Sequence, residues 1–478
     1  MSEQAFDVVV VGGGSSGCVV AARLAEQDSR SVLLVEAGPD RRADIPQELR
    51  NGWTIERELF DWGYESETHT GGQAKPVRRK RLLGGTSWLT RFTPRGSPAD
   101  YDGWGRLGLA GWSWEEVLPY FVRLETDLDY GDRPWHGDKG PIPSSRMLDD
   151  ELADVGAAAV DALFSAGFRW VDDHNEPGAV GAGRMPMNVL AGRRVTTADA
   201  YLPLGASPAN LSIRVEAHVD RVVFDHGRVV GVRLADGTDV AAGHVVLCAG
   251  VYGSPAILLR SGIGPDGEIA DLPGVGANLV DHPSVYVDFG YAGLGRAVPA
   301  LHTIVTFHSS GRSSAETPDL MLWLADPTDE DTEFGAEVVL LRPRSRGSVR
   351  LRSDDPLDPP RIELPSLDDP ADVERLVEGY RRALEVAAQP ALRQHCFGPE
   401  PAEPEDLEAV IRSELFSIPH TVGTCAMGSV VDELGGVYGV DGLSVVDASI
   451  MPDVPSGFTH LPAIMIAERL SEQITSQL

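Results

Sequence analysis

The segment FDVVVVGGGSSGCVVAARLAEQDSRSVLLVE constrains the chain more than any other. Val8 to Val11 form an unbroken apolar run, the pattern of a strand buried on both faces. Gly12, Gly14 and Gly17 follow in GxGxxG spacing, and Cys18 to Leu24 carries helical apolar spacing. Ser31 to Glu36 predicts a second parallel strand, closed by a carboxylate roughly 20 residues past the third glycine. The first glycine permits a tight turn, the second lets the backbone approach a pyrophosphate, and the third allows close helix–strand packing. The helix N-terminus offers unpaired N–H groups to phosphate, and Glu36 can accept ribose hydroxyls. GxGxxG alone is weak evidence; strand, helix and acidic residue together predict a dinucleotide site. The motif does not separate FAD from NAD, and the absence of a second copy disfavours two dinucleotides.

The rest of the chain bounds the alternatives. At 478 residues, more than one domain is expected. Hydrophobic residues at 42% and charged residues at 24% suit a soluble protein with a sizeable core. No stretch approaches the roughly 20 apolar residues of a membrane span, and the N-terminus lacks the pattern of a secretory leader. A net charge of −31 argues against nucleic acid and anionic membranes as partners. Cys18, Cys248, Cys396 and Cys425 form no CxxC pair, so neither a disulfide framework nor a metal site is expected, and reduced thiols fit a cytoplasmic protein.

Residues 113–126 predict a helix with Ser113 as N-cap, and residues 150–167 another. LSIRVEAHVDRVVFDHGRVVGVRLADGTDVAAGHVVLCAG predicts a β-meander returning to a buried strand at Val245 to Cys248. Between about 285 and 365, HTIVTF, DLMLWLA, EVVLLRP and GSVRLRS predict an antiparallel sheet; helices are expected over 370–390 and 404–415. Arg78, Arg79, Lys80 and Arg81 precede a glycine pair and read as a solvated basic run rather than as ligands.

In their order, these motifs resemble the glucose–methanol–choline (GMC) oxidoreductases over nearly the whole chain. The carriers are the GxGxxG unit with Glu36, LLGGTS followed by RGSPADYDGW, AHVDRV, GVYGSPAILLRSGIGP, LPGVGANLVDH, LLRPRSRGSVRL, PHTVGTCAMG and VYGVDGLSVVDASIMPDVPSGFTHLPAIMIAE. The resemblance implies an α/β (α+β overall) fold: a discontinuous Rossmann-type FAD-binding domain, residues 1–150, 195–285 and 420–478, with an inserted antiparallel-sheet substrate domain, residues 151–194 and 286–419.

Carried over residue by residue, Gly12, Gly14 and Gly17 hold the pyrophosphate and Glu36 the adenosine ribose, with Ser15, Ser16 and Ala37 as further cofactor contacts. Val219 meets the adenine through its backbone. Gly84, Gly85 and Thr86 lie along the flavin. Ala249 and Gly250, and Asp447 and Ala448 in VVDAS, are further cofactor contacts. His460, Leu461 and Pro462 lie beside the isoalloxazine ring. His420 matches the family's histidine near flavin N5, and His460 matches the second position, Asn or His among relatives. The implied reaction is oxidation of an alcohol to a carbonyl, hydride passing to flavin N5 while His420 takes the hydroxyl proton and His460 holds the alkoxide.

Two departures stand out. GGTSWLTRFTPRG is one residue shorter than the usual family loop and lacks its Asn, with Trp88, Leu89 and Thr90 where that loop meets the flavin. No histidine lies between Leu83 and Arg95, so FAD is expected to be non-covalent. His282 in VDHPS reads as structural, while His69, His302 and His308 are candidates for the substrate cavity. A FAD-containing lyase of the same family, or a flavin-binding protein without catalysis, is the alternative. The sequence leaves open which alcohol is used and which electron acceptor (oxygen, quinone, cytochrome or another carrier). The chain's short length is shared with bacterial members linked to the carrier mycofactocin, a link no residue here carries.

Overall fold

The computed structural model describes residues 5–67, 74–148, 152, 154–292, 303–313, 317–325, 333–398 and 401–478. Two seven-stranded sheets dominate it. The first is built on the valine run: strand Phe6–Val11 lies between Val32–Val35 and Asp239–Leu247, parallel to both. Val8, Val9 and Val10 are fully buried, as the continuous apolar pattern requires of a parallel strand covered on both faces. Leu443–Val445 adds a further parallel strand beside Asp239–Leu247.

The meander is confirmed for Val219–Asp225, Arg228–Leu234 and Asp239–Leu247, which pair antiparallel in succession. LSIR departs from it. Leu211–Arg214 crosses to the far edge of the sheet and pairs parallel with Val32–Val35. Its alternation fits either neighbour, and only the position of the second strand decides between them.

The second sheet contains Val280–Ala292, Glu333–Leu340, Leu320–Ala325, Ile304–His308 and Gly181–Arg184 in that lateral order, with Phe416–Val422 also paired to Val280–Ala292. All of these pairings are antiparallel. Helix Pro370–Ala387 covers one face, burying Leu376, Ala383 and Val386 against Val285, Val287 and Leu322. The predicted helices appear as Trp114–Leu124, Asp154–Ser165 and Leu407–Glu414. Ser113 and Glu116 form a reciprocal capping box at the start of the first, satisfying N–H groups that the helix itself leaves unpaired.

A third apolar cluster, with Phe92, Trp323, Ile418 and Phe458 among its members, joins side chains of the antiparallel sheet to the loops before and after it. It borders the cavity described next.

Candidate active site

The glycine turn is held by contact rather than by propensity. A Cβ on Gly17 would lie 1.8 Å from the Gly12 carbonyl oxygen, and one on Gly12 would lie 2.5 Å from the Cys248 carbonyl oxygen. Those two positions therefore serve close packing of turn, helix and strand. Gly14 differs: a Cβ there meets nothing within 4 Å. The space it faces belongs to a cavity of about 1180 Å³, above the roughly 300–1,000 Å³ usual for small-molecule pockets.

Most of the residues singled out by sequence wall this one cavity: Gly12, Gly14, Ser15, Ser16, Glu36, Ala37, Gly85, Thr86, Val219, Ala249, Gly250, Asp447, Ala448, His420 and His460. Gly17, Gly84, Leu461 and Pro462 do not. Gly17 lies beneath the turn. Gly84 donates its N–H to the Gly13 carbonyl and adopts φ +100° beside the Trp88 ring. Leu461 and Pro462 are buried within helix His460–Gln477, Leu461 in the core of the parallel sheet.

Glu36 is buried at the end of its strand. Its Oε2 accepts the Gly13 N–H and its Oε1 the Gly38 N–H, both at 2.7 Å. Burial pushes its pKa up to about 7, opposed by those two N–H groups. Asp447 is anchored similarly: Oδ2 accepts from Gly250 N (2.9 Å) and Ser254 Oγ (2.6 Å), and Oδ1 from Ser449 N (2.8 Å). It thereby ties the two loops after strands Asp239–Leu247 and Leu443–Val445.

The two histidines arrive from different directions. His460 is the first residue of helix His460–Gln477, whose N-terminus meets that of helix Ser15–Leu24. Its Nδ1 lies 3.4 Å from Ser15 Oγ. Its Nε2 is buried without a partner among the described residues, and burial lowers its pKa to about 4. His420 comes from strand Phe416–Val422. Its ring meets Phe458 edge-on, centroids 4.4 Å apart. Its pKa is held well below the usual histidine value by burial, then by the neighbouring His282 and Arg79. Both imidazoles are therefore neutral near neutral pH, the state in which a histidine accepts a proton.

Other sequence readings change. The basic run is not simply solvated: Lys80 is buried, with Nζ 2.9 Å from Glu56, Arg78 pairs with Asp61 at 2.7 Å, and Arg79 bonds Thr421 Oγ1 and covers the Tyr252 ring. Those ion pairs come from residues 56–61, whose proximity no local pattern announces. Leu89 and Thr90 reach the cavity, but Trp88 does not. It is fully buried with Leu49 and Leu82, its Nε1 donating to the Leu83 carbonyl. His69 and His302 lie outside the described residues. His308 stands off the cavity, bonded to Thr306 Oγ1 at 3.0 Å and set edge-on against Phe168. His218, given no role by sequence, lines the cavity near Trp62 and Tyr64; its place beside Val219 in AHVDRV was the available signal. His282 is in contact with His420.

The unpartnered His460 Nε2 and the open approach to Gly14 suit a cavity shaped to receive a large polar ligand. A metal is less well provided for. Among the described residues Glu125, Asp127 and His136 converge, but Arg95 and Arg146 already neutralise those carboxylates. No described helix is long and apolar enough to cross a membrane.

Comparison with known proteins agrees with this architecture. The chain is 35% identical to 5-(hydroxymethyl)furfural oxidase of Methylovorus sp. (strain MP688), over 100% of both chains. It is 33% identical to an oxygen-dependent choline dehydrogenase of Burkholderia lata, covering 99% of this chain and 94% of that one. Among solved structures, pyridoxine 4-oxidase from Mesorbium loti superposes with a TM-score of 0.89 at 30% identity, over 98% of this chain and 99% of that one. Family profiles described as GMC oxidoreductase match residues 6–284 and 343–467. Glycine turn, split parallel sheet, antiparallel sheet and shared cavity thus occur in a chain that belongs to the GMC oxidoreductase family.

Proposed function

We propose that this enzyme binds FAD in the cavity and oxidises an alcohol to a carbonyl. The observation that carries the reading is that His420 and His460 wall the same space as the glycine turn and Glu36. The parallel-sheet segments hold the cofactor: Gly12, Gly14, Ser15 and Ser16 face the pyrophosphate, Glu36 and Val219 the adenosine, and Gly85, Thr86, Asp447, Ala448 and His460 the flavin half. Bound there, the flavin supplies at N5 the acceptor for the hydride leaving the alcohol carbon. The antiparallel sheet contributes Tyr286, Trp323 and Glu337 to the substrate side.

An alcohol hydroxyl is too weak an acid to lose its proton unaided, so a base must touch the reacting oxygen. His420 is that base. Being neutral and buried, it is ready to accept and is screened little by solvent. His460, with an unpartnered Nε2, bonds the same oxygen and stabilises the charge that develops there. Non-covalent retention of FAD is expected, because the 84–94 loop carries no histidine for attachment.

The test is an anaerobic screen of the FAD-loaded protein against a panel of primary alcohols, including 5-(hydroxymethyl)furfural, choline and pyridoxine. Loss of flavin absorbance identifies a substrate, and readmitting air separates an oxidase from an enzyme that needs another acceptor. Failure to bind FAD, or a bound flavin that no alcohol bleaches, rejects the reading.

A further inference from the structure

His282 sits behind His420, away from the cavity wall. Strand Val280–Ala292 pairs with Phe416–Val422 so that His282 lies opposite Ile418. The two imidazoles meet edge-on, centroids 5.3 Å apart at 87°, with their Nδ1 atoms 3.1 Å apart. The Nε2 of His282 lies 3.1 Å from the Leu341 carbonyl oxygen. Asp281, next in the strand, accepts the backbone N–H of His420 at 3.0 Å and is bonded to Ser417 Oγ. Its carboxylate fixes the strand and makes no hydrogen bond to either ring.

These contacts determine where the protons lie. A carbonyl oxygen only accepts, so His282 Nε2 carries hydrogen. A neutral imidazole has one N–H, so His282 Nδ1 then presents a lone pair. Burial favours the neutral ring, moving the His282 pKa down to about 4 against the pull of the Leu341 and Pro455 backbone groups. A lone pair at 3.1 Å needs a donor, and the atom facing it is His420 Nδ1. His420 Nδ1 is therefore protonated, and its Nε2, on the opposite side of the ring, holds the free lone pair.

We propose that His282 is a positioning residue: it passes the constraint of the Leu341 carbonyl to His420 and locks that ring in the Nδ1–H tautomer, leaving Nε2 as the basic nitrogen. This rests on the reading of His420 as the base. When His420 accepts the hydroxyl proton at Nε2, its Nδ1–H still has an acceptor in His282, so the imidazolium keeps its partner. The opposite tautomer would set two lone pairs against each other and present an N–H, which cannot act as a base.

Histidine tautomers can be read directly in FAD-loaded protein labelled with ¹⁵N-histidine, using long-range proton–nitrogen correlation near neutral pH. His420→Gln and His282→Asn identify the two spin systems by their loss. The expected result is Nδ1 protonated and Nε2 bare in His420, with the reverse in His282. A His420 protonated at Nε2, or averaging between tautomers, overturns the proposal.

Kinetics give a second readout. His282→Leu removes the acceptor at similar volume, and should slow flavin reduction at saturating alcohol by about tenfold or more, with the substrate concentration for half-saturation little changed. His282→Asn places an amide oxygen near the lost Nδ1 and should recover part of the rate. Equal rates in wild type and His282→Leu, or no recovery in His282→Asn relative to a slow His282→Leu, count against the proposal. If His282→Leu does not fold, the wild-type tautomer still decides. The two readings also fail separately. An unaffected His420→Ala rejects the base with the tautomer intact, whereas a slow His420→Ala with a wild-type ring that averages between tautomers rejects the lock alone.

Discussion

Replacing Glu36 by Ala tests how the nucleotide half of the cavity is held. The substitution removes the acceptors of two buried N–H groups, those of Gly13 and Gly38. Each orphaned donor costs about 1–3 kcal/mol, so the apoprotein loses about 2–6 kcal/mol. The buried carboxylate itself opposes this. Its pKa rises from 4.5 to about 7, which at 1.36 kcal/mol per pH unit is about 3 kcal/mol against the ionised form. Because the folded value is raised, Glu36 contributes fully below its unfolded pKa, and the contribution falls as pH rises through about 7. The loss in Glu36→Ala should therefore be largest near pH 5 and smaller by about 3 kcal/mol near pH 8.

The same substitution removes the acceptor proposed for the ribose, worth a further 1–3 kcal/mol or so, which lowers FAD affinity by about one to two decades. Urea unfolding of the apoprotein at the two pH values measures the first effect, and flavin fluorescence titration the second. Flavin reduction should survive once FAD is saturating. An FAD affinity within about threefold of wild type would mean that Glu36 supports the loop without touching the cofactor. A stability loss independent of pH would refute the energetic argument for the carboxylate.

The two glycines should separate cleanly. Gly17→Ala drives a Cβ into the Gly12 carbonyl and should reduce the yield of folded protein, while Gly14→Ala, with open space before it, should fold normally and bind FAD more weakly; thermal unfolding of apoprotein and FAD titration distinguish them. Acid precipitation should release the flavin into the supernatant, and flavin left in the pellet would contradict non-covalent binding. His420→Ala should retain FAD yet reduce it about 10²–10⁴ more slowly by anaerobic stopped flow; a rate within a few-fold of wild type would shift the base role to His460. Since the His420 pKa lies well below its ordinary value of 6.5, wild-type reduction should be flat from weakly basic pH down through 6.5 and fall only in more acid solution, where the ring protonates. A limb at 6.5 or above would contradict a buried, neutral base.

Much of the molecule is local in origin. The valine run, the glycine spacing and Glu36 specify a strand, a turn and a helix within 31 consecutive residues (6–36), and the close approach of Gly17 to the Gly12 carbonyl is set inside that segment. The capping box at Ser113 and the alternation of DLMLWLA are local in the same way, and the family resemblance follows from such segments in order. What the sequence could not decide depends on partners distant in the chain. LSIR alternates equally well for two neighbours, and its edge position follows from the strand it meets. Trp88 and Leu89 are adjacent and both apolar, yet Leu49 and Leu82 draw one into a core while the other faces the cavity. The basic run becomes a paired cavity wall only when residues 56–61 fold against it. His282 is 138 residues from His420 and 59 from Leu341. Imidazole protons follow hydrogen-bond partners rather than sequence position, so only the pairing of those strands decides which nitrogen of His420 is free.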